Sequence, residues 1–241
     1  METDWLELWR ELVKTNTPSS STSLVSRYKA HMGKKKQRPD DLLNFVLEKI
    51  DNEDTVLDIG AGSGRWTIPI ASTAGRVTAV EPSADMRKIL CENINEAGMD
   101  NIDTLPSTWE EAAVEPHDVV VSAHAMYSSP DFEAFVRKIE RCARKTCYLA
   151  LRLPARSGII NELSFAIYGS YHDSPNAIIA YNALYSIGIF ANVLVENSIH
   201  CWVNDTVEEA VARAKRHLHL EAASGYDGLI RDTLQKRLIV S

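Results

Sequence analysis

A glycine-rich turn constrains the fold of this chain more than any other part of its sequence. The β-branched run Thr55–Ile59 leads into Gly60, Gly62 and Gly64, and a second apolar run ends at Glu81, about 20 residues after the first glycine. Glycine permits positive φ and lets the backbone approach a ligand with no Cβ in between. This spacing is typical of a parallel βαβ unit whose first turn binds a ligand and whose second strand ends in a ribose-binding carboxylate.

The details of the turn separate two classes of nucleotide ligand. A dinucleotide site has the pattern G-x-G-x-x-G, which places a pyrophosphate at a helix N-terminus. This chain has G-x-G-x-G, and Asp58 stands two residues before the first glycine. A carboxylate there repels a pyrophosphate and attracts an ammonium group. A ligand with an amino-acid head and a nucleoside tail suits both acids, because Asp58 can take the amine and Glu81 the ribose hydroxyls.

The run at residues 56–64 closely resembles the glycine-rich motif of class I S-adenosylmethionine-dependent methyltransferases, and the resemblance extends over roughly residues 28–203. It implies an α/β fold with a doubly wound, mostly parallel seven-stranded sheet. Helical patterns outside the resemblance predict N-terminal and C-terminal helical extensions. It also implies S-adenosylmethionine as the cofactor and S-adenosylhomocysteine as a product. In this family the last two strands form an edge hairpin, which we place at 191–195 and 199–203.

Apolar periodicity supports the same architecture without the motif. Short β-branched runs alternate with helical patterns, which predicts a doubly wound α/β domain. The predicted strands are 55–59, 76–80, 102–105, 118–122 and 147–151, with helices such as 84–97 and 131–144 between them. We expect an N-terminal helix and linker at 1–39 that covers the site, and a methyltransferase domain at 40–205. Within that domain a helical lid should occupy about 153–188, and helices at 206–241 should pack on the domain.

Composition limits the partners of the chain. A net charge of −7 argues against binding to a phosphate backbone. We therefore expect no DNA partner, and RNA is a less favoured partner than a small molecule. No apolar run approaches the ~20 residues of a membrane span. Four scattered cysteines predict reduced, mostly buried thiols in a cytoplasmic protein, and no cluster has metal-ligand spacing. A monomer or homodimer is expected.

Ligands of open α/β sheets bind beyond the carboxyl ends of the strands. Thr108 stands where the family commonly has an acid that binds the adenine amino group, so this chain departs from the pattern there. Trp109 could supply its backbone N–H, stack on the adenine or pack in the core. The predicted cofactor-binding residues are Asp58, Gly60, Ala61, Gly62, Gly64, Glu81, Pro82, Met86, Thr108, Trp109 and Ser122.

Residues after the fourth strand normally face the sulfonium and the acceptor. His124 and Tyr127 are the catalytic candidates there, and imidazole suits proton transfer if the acceptor must lose a proton. A role for His124 in lining the cofactor pocket is equally open. The predicted substrate-binding residues are aromatic or polar, and they are Tyr28, Tyr168, Tyr171, His172 and Tyr181.

The favoured function is methyl transfer to a small-molecule acceptor. One alternative is a methyltransferase-like subunit that binds the cofactor and acts with a partner, because the usual adenine-binding acid is missing and terminal helices could dock another chain. Another is a protein or RNA methyltransferase that uses the basic stretch 137–145. A nicotinamide enzyme is the weakest alternative.

Overall fold

A parallel sheet carries the predicted site at its carboxyl edge. The computed structural model describes residues 3–16, 40–154, 158–170, 174–196, 204, 206–220 and 225–237. The sheet is formed by β1 (Thr55–Ile59), β2 (Arg76–Val80), β3 (Ile102–Leu105), β4 (His117–Ala123) and β5 (Ala143–Ala150). All neighbours are parallel and the order is β3-β2-β1-β4-β5, so the winding reverses between β1 and β4.

The predicted doubly wound α/β class is confirmed, but the prediction of seven strands is wrong for the described residues, which form a sheet of five. Residues 191–196 form no strand. The other predicted edge strand, at 199–203, lies outside the described residues. The hairpin expectation therefore fails at its first strand, where Val193 and Leu194 remain exposed and gain no burial on the sheet.

Helices cover both faces of the sheet because side chains alternate along each strand. Leu57 and Val120 face one buried cluster, whereas Val56, Val119 and Val121 face another. The helices of this unit are α1 (Trp5–Asn16), α2 (Asp41–Leu47), α3 (Thr67–Ala71), α4 (Ala84–Ala97), α5 (Phe132–Cys142) and α7 (Ala177–Ser186).

Local capping determines where the helix after β2 begins and ends. The Ser83 side chain accepts the Met86 N–H at the start of α4, and Gly98 closes its end in the left-handed region at φ +66°. The helix therefore begins at Ala84, three residues after Glu81, and its N-cap defines the turn that follows the carboxylate.

The N-terminal helix α1 packs into the core of the sheet unit. Trp9 is fully buried, its indole N–H donates to the Ser129 carbonyl at 2.9 Å, and its ring lies 4.6 Å from that of Phe132. These contacts anchor α1 against the turn after β4 that carries Ser129.

Contacts within the chain divide it into two compact units, one within 1–152 and 175–196 and the other within 153–174 and 197–241. The second unit contains α6 (Ile159–Tyr168), α8 (Val207–His217) and α9 (Asp227–Gln235). Leu163, Ala214 and Ile230 are fully buried among these helices. Lys215, itself buried, forms an ion pair with Asp227 inside the unit.

Candidate functional site

The glycine loop turns back on itself and packs tightly against the end of β4. Gly60, Gly62 and Gly64 have φ values of +76°, +57° and +89°. A Cβ on Gly60 would stand 2.3 Å from the Cβ of Ala125, so only glycine allows this approach. A Cβ on Gly62 would meet nothing closer than 3.9 Å, which leaves that backbone open to a ligand.

Backbone donors of this loop are already used by the protein. The N–H groups of Gly60 and Ala61 donate to the Val80 carbonyl at 2.8 and 3.1 Å, and the Gly64 N–H donates to the Ala61 carbonyl at 2.9 Å. A dinucleotide loop instead directs its N–H groups at a pyrophosphate. These three N–H groups are therefore not available to a pyrophosphate.

Asp58 is the penultimate residue of β1 and is almost fully buried. Its Oδ2 accepts a 2.6 Å hydrogen bond from the Thr67 hydroxyl of α3. Burial raises the pKa of Asp58 from 3.8 to about 6, the Thr67 hydrogen bond opposes that rise, and the negative charge of Glu81 adds to it. Burial leaves the charged form of Asp58 poorly solvated, so an incoming ammonium group would stabilise it.

Glu81 ends β2 beside the loop. Its Oε2 accepts the Gly62 N–H and its Oε1 accepts the Ser83 N–H, both at 2.8 Å. These bonds fix the carboxylate in place while it remains 7% exposed. Each carboxylate oxygen keeps acceptor capacity for a further donor, so Glu81 can still accept hydroxyl groups of a ribose.

A cavity of about 60 Å³ opens at the point where the strand order reverses. Pockets that bury a whole ligand measure ~300–1,000 Å³, so this cavity accommodates part of a ligand. It joins the ends of β1 and β4 to the start of α3, as the rule for open α/β sheets predicts. Its wall consists of Asp58, Gly60, Ala61, Arg65, Trp66, Ala123 and His124.

His124 reaches the cavity through an unusual backbone conformation. Its φ is +59°, in the left-handed region that non-glycine residues seldom adopt. Its Nδ1 lies 3.2 Å from the hydroxyl of Tyr127, which also accepts the Arg152 N–H at 2.6 Å. The Arg152 guanidinium lies 4.3 Å from the centre of the Tyr127 ring. The structure thus brings both catalytic candidates into contact, and of the two His124 lines the cavity.

Trp109 packs in the core. It is 4% exposed, and its indole N–H donates to the Phe135 carbonyl at 3.1 Å, so its ring is not available to stack on an adenine. Lys138 donates to the carbonyl groups of Trp109, Glu110 and Ala112 and lies over the Trp109 ring. The Thr108 hydroxyl bonds to Glu111. These bonds from Lys138 of α5 fix the loop after β3. Of the predicted adenine contacts of Trp109, the one that remains a prediction is its backbone N–H.

Three further predicted cofactor residues, Pro82, Met86 and Ser122, lie in different surroundings. Pro82 is exposed, and Met86 lies near Gly62, within 3.9 Å of the position of a Cβ there. Ser122 is fully buried, its hydroxyl has no hydrogen-bond partner among the described residues, and Ala123 stands on the cavity wall instead.

The predicted substrate residues are dispersed. Tyr181 is exposed on α7. Tyr168 belongs to the second unit, where its hydroxyl donates to the Leu218 carbonyl at 2.7 Å. Tyr28, Tyr171 and His172 lie outside the described residues. The lid stays a prediction.

Sequence reasoning missed the cation and the aromatic ring that line the cavity. Arg65 and Trp66 directly follow the third glycine, and both donate to Asp40 Oδ2, at 2.6 and 3.1 Å. Their position immediately after the loop is visible in the sequence, but the prediction considered only the glycines and the acids.

The described cysteines correct another expectation. Cys142 is buried, but Cys91 and Cys147 are exposed, so the prediction of mostly buried thiols is wrong for this part of the chain. No helix of the described ranges combines the length and apolar character needed to cross a bilayer.

Comparison with known proteins identifies the family. The family model described as a methyltransferase domain matches residues 28–182, well over half of the chain. The chain therefore belongs to the methyltransferase-domain family, which confirms the family predicted from the glycine-rich motif.

Individual relatives are 25–30% identical to this chain, and only over part of their length. The chain is 25% identical to an uncharacterized protein of Haemophilus influenzae over 68% of this chain and 61% of that protein. It is 30% identical to a probable ribosomal RNA small subunit methyltransferase A of Methanosphaera stadtmanae over 43% of this chain and 41% of the relative. The chain thus spans well under two thirds of either relative. The structure of the YcgJ protein from Bacillus subtilis aligns with a TM-score of 0.49 at 18% identity, covering 61% of this chain and 67% of that one.

Proposed function

We propose that this chain transfers a methyl group from S-adenosylmethionine to a small-molecule acceptor and releases S-adenosylhomocysteine. The observation that carries the proposal is the pair of carboxylates, Asp58 and Glu81, at the ends of adjacent strands on either side of the glycine loop. One is buried at a cavity and the other is held by backbone N–H groups beside an open glycine, which matches an amine at one end of a ligand and a ribose further along it.

The residues present fit the cofactor. Asp58 would hold the amine, Glu81 the ribose hydroxyls, and the open face of Gly62 the chain between them. When bound, S-adenosylmethionine supplies an electrophilic methyl group on a sulfonium centre. The task left to the protein is alignment of the acceptor at near-attack distance, together with exclusion of competing nucleophiles.

His124 is the proposed proton acceptor. The Tyr127 oxygen accepts the Arg152 N–H and has capacity for a second donor, so it can also accept a hydrogen from Nδ1 of His124. That tautomer places the imidazole lone pair on Nε2, where an acceptor hydroxyl or ammonium group could lose its proton. The opposite tautomer, with Nδ1 accepting from Tyr127, would make Nε2 a donor that orients the acceptor instead.

The basic stretch 137–145 offers little to a phosphate backbone. Arg137 bonds to Glu140 and to the Ile187 carbonyl, and Lys138 bonds to the three carbonyl groups described above. Arg144 and Lys145 lie at the amino end of β5, at the opposite edge from the cavity, where they pair with Asp118 and Asp54. These cations serve the fold, and together with the net charge of −7 they favour a small acceptor over RNA.

An RNA acceptor is the second candidate, because one relative carries the name of a ribosomal RNA methyltransferase. A cofactor-binding subunit that works with a partner is the third. The experiment supplies methyl-labelled S-adenosylmethionine and tests a low-molecular-weight cell fraction, total RNA and total protein as separate acceptors. We expect label in the small-molecule fraction and none with the Glu81→Ala variant.

The other outcomes of this experiment are equally informative. Label in RNA or protein would contradict the small-molecule proposal and leave the enzyme class intact. Cofactor binding without transfer to any fraction would contradict a self-sufficient enzyme and favour the partner-dependent subunit. Addition of salt separates the RNA case further, because phosphate contacts weaken steeply as ionic strength rises.

A further inference from the structure

Three side chains lie close together beyond the carboxyl ends of β4 and β5. His124 directly follows β4, and Arg152 comes two residues after the end of β5. Tyr127 contacts both, because its hydroxyl is 3.2 Å from Nδ1 of His124 and its ring centre is 4.3 Å from the guanidinium carbon of Arg152. His124 and Arg152 are exposed. An exposed cation and the proposed proton acceptor therefore share one tyrosine.

The backbone of Arg152 is held on both sides. Its N–H donates to the Tyr127 hydroxyl at 2.6 Å, and its carbonyl accepts the N–H of Ala177, the first residue of α7, at 2.8 Å. The start of α7 is itself capped by the buried Asn176, whose side chain accepts the N–H groups of residues 178 and 179. The side chain of Arg152 thus projects from a fixed point, which reduces the entropy lost when it binds a ligand.

The charge of Arg152 is not neutralised by the part of the chain that the structure describes. The guanidinium lies over the Tyr127 ring and forms no ion pair with a described carboxylate. Two other arginines near the carboxyl edge are already engaged. Arg65 pairs with Asp40, and Arg87 donates to the carbonyl groups of the two residues that follow β2. Arg152 therefore retains N–H donors for a ligand.

A guanidinium over an aromatic ring can still bind an anion, because its N–H groups form a planar fork that matches two oxygens of a carboxylate or a phosphate. The net charge of −7 makes a local cation important for an anionic acceptor, since the chain as a whole repels it. A cationic acceptor would instead be repelled by Arg152 on its approach to His124. The arrangement therefore favours an acceptor that carries an anionic group.

We propose that Arg152 binds a carboxylate or phosphate group of the acceptor and so holds the acceptor beside His124. The inference rests on the proposed function and names the class of its substrate, an anionic small molecule. The anionic group orients the acceptor, and a different atom of the same molecule takes the methyl group. Tyr127 positions both side chains, since it contacts the imidazole of one and the guanidinium of the other.

The test divides the low-molecular-weight cell fraction by anion exchange at pH 7.5 into a retained and an unretained pool. Each pool is supplied with the unmodified protein and methyl-labelled S-adenosylmethionine. We expect label with the retained pool only. Phosphatase treatment of that pool then separates the two anions, because acceptor activity that is lost indicates a phosphate and activity that survives indicates a carboxylate.

Variants of Arg152 test the residue itself. Arg152→Gln should raise KM for the retained pool about tenfold, the low end for a bond between charged groups, because the site is exposed. Its affinity for S-adenosylhomocysteine should stay within about twofold. Arg152→Lys keeps the charge but loses the fork, so KM should rise less. Arg76→Gln is the matched control, since Arg76 pairs with Asp103 at the amino end of β2, and it should keep the unmodified KM.

The outcomes separate the inference from the proposed function. Label with the unretained pool, or an Arg152→Gln variant with an unchanged KM, would overturn the inference and leave the proposed function standing. An Arg152→Gln variant that loses affinity for S-adenosylhomocysteine as strongly as for the acceptor would overturn it in favour of a structural role. Binding of S-adenosylhomocysteine without label in either pool would contradict the proposed function itself.

Discussion

The hydroxyl of Thr67 donates a 2.6 Å hydrogen bond to Oδ2 of Asp58, and both side chains are almost fully buried. Burial raises the pKa of Asp58 to about 6, and this single hydrogen bond restrains the rise. The residue proposed to hold the cofactor amine therefore changes charge just below neutral pH, and its burial disfavours the charged form relative to an exposed aspartate.

Cofactor binding should weaken in mild acid. An ammonium ligand requires the ionised form of Asp58, so the affinity for S-adenosylhomocysteine should fall as the pH drops through about 6, approaching tenfold per pH unit below it. Calorimetry between pH 7.5 and 5 measures this. In Asp58→Asn the affinity should be low at every pH. Thr67→Val should move the midpoint to higher pH, whereas a midpoint that does not move would contradict the role of the hydrogen bond.

Removal of the Asp58 charge should stabilise the protein without its ligand. The folded-state pKa of this acid lies above its ordinary value, so the folded protein binds the proton more tightly than the unfolded chain. Stability is therefore lost as the pH rises from 3.8 to about 6, by about 3 kcal/mol at most. Asp58→Asn should show a higher free energy of unfolding at pH 7.5 in urea titrations. A destabilised variant would contradict this account.

The close approach of Ala125 should allow only glycine at position 60. Gly60→Ala should destabilise the fold by about 2–4 kcal/mol, because the methyl group overlaps Ala125 and φ is +76°. Gly98→Ala has a similar φ of +66° with nothing within 4 Å, so it should lose only about 1–2 kcal/mol.

The double variant Gly60→Ala with Ala125→Gly isolates the close approach. It should recover at least about 1 kcal/mol relative to the sum of the single variants, because the overlapping methyl group is gone. Additive effects in denaturant unfolding would show that the backbone conformation alone accounts for the requirement.

His124 and Tyr127 should affect turnover more than binding. His124→Gln should lower kcat by about 10²–10⁴-fold if the acceptor must lose a proton. Tyr127→Phe should lower it by roughly tenfold, since the 3.2 Å contact that fixes the imidazole is lost. Affinity for S-adenosylhomocysteine should stay within about twofold in both, with Tyr226→Phe in the second unit as control. A parallel loss of cofactor affinity would show that His124 contributes to cofactor binding and would contradict a role confined to the acceptor.

Much of the fold was predictable because local signals agreed with it. The strands at Thr55–Ile59, Arg76–Val80 and Ile102–Leu105 match their predicted bounds, since each is a short apolar run closed by glycine, acid or proline. The edge strand predicted at 191–195 was wrong, because edge pairing depends on a partner strand and not on the apolar content of the run itself.

The site was predictable where the chain brings residues together locally. Asp58, the glycines and Glu81 follow from one βαβ unit, whose geometry the spacing determines. Arg65 was not predicted, because the position of its side chain depends on an ion pair with Asp40, the N-cap of another helix. The direction of the Trp109 ring depends on α5, and no local pattern reveals whether an indole faces a ligand or the core.

The central claim is that Glu81 and the glycine loop hold a nucleoside with an amino-acid tail. Calorimetric titration with S-adenosylhomocysteine tests it most directly, with Glu81→Ala compared with Asp85→Ala, which changes an exposed acid in the first turn of α4. Micromolar binding by the unmodified protein and the Asp85 variant, lost at least about tenfold in Glu81→Ala, is the predicted result. Equal binding by all three, or none by the unmodified protein, would contradict the claim.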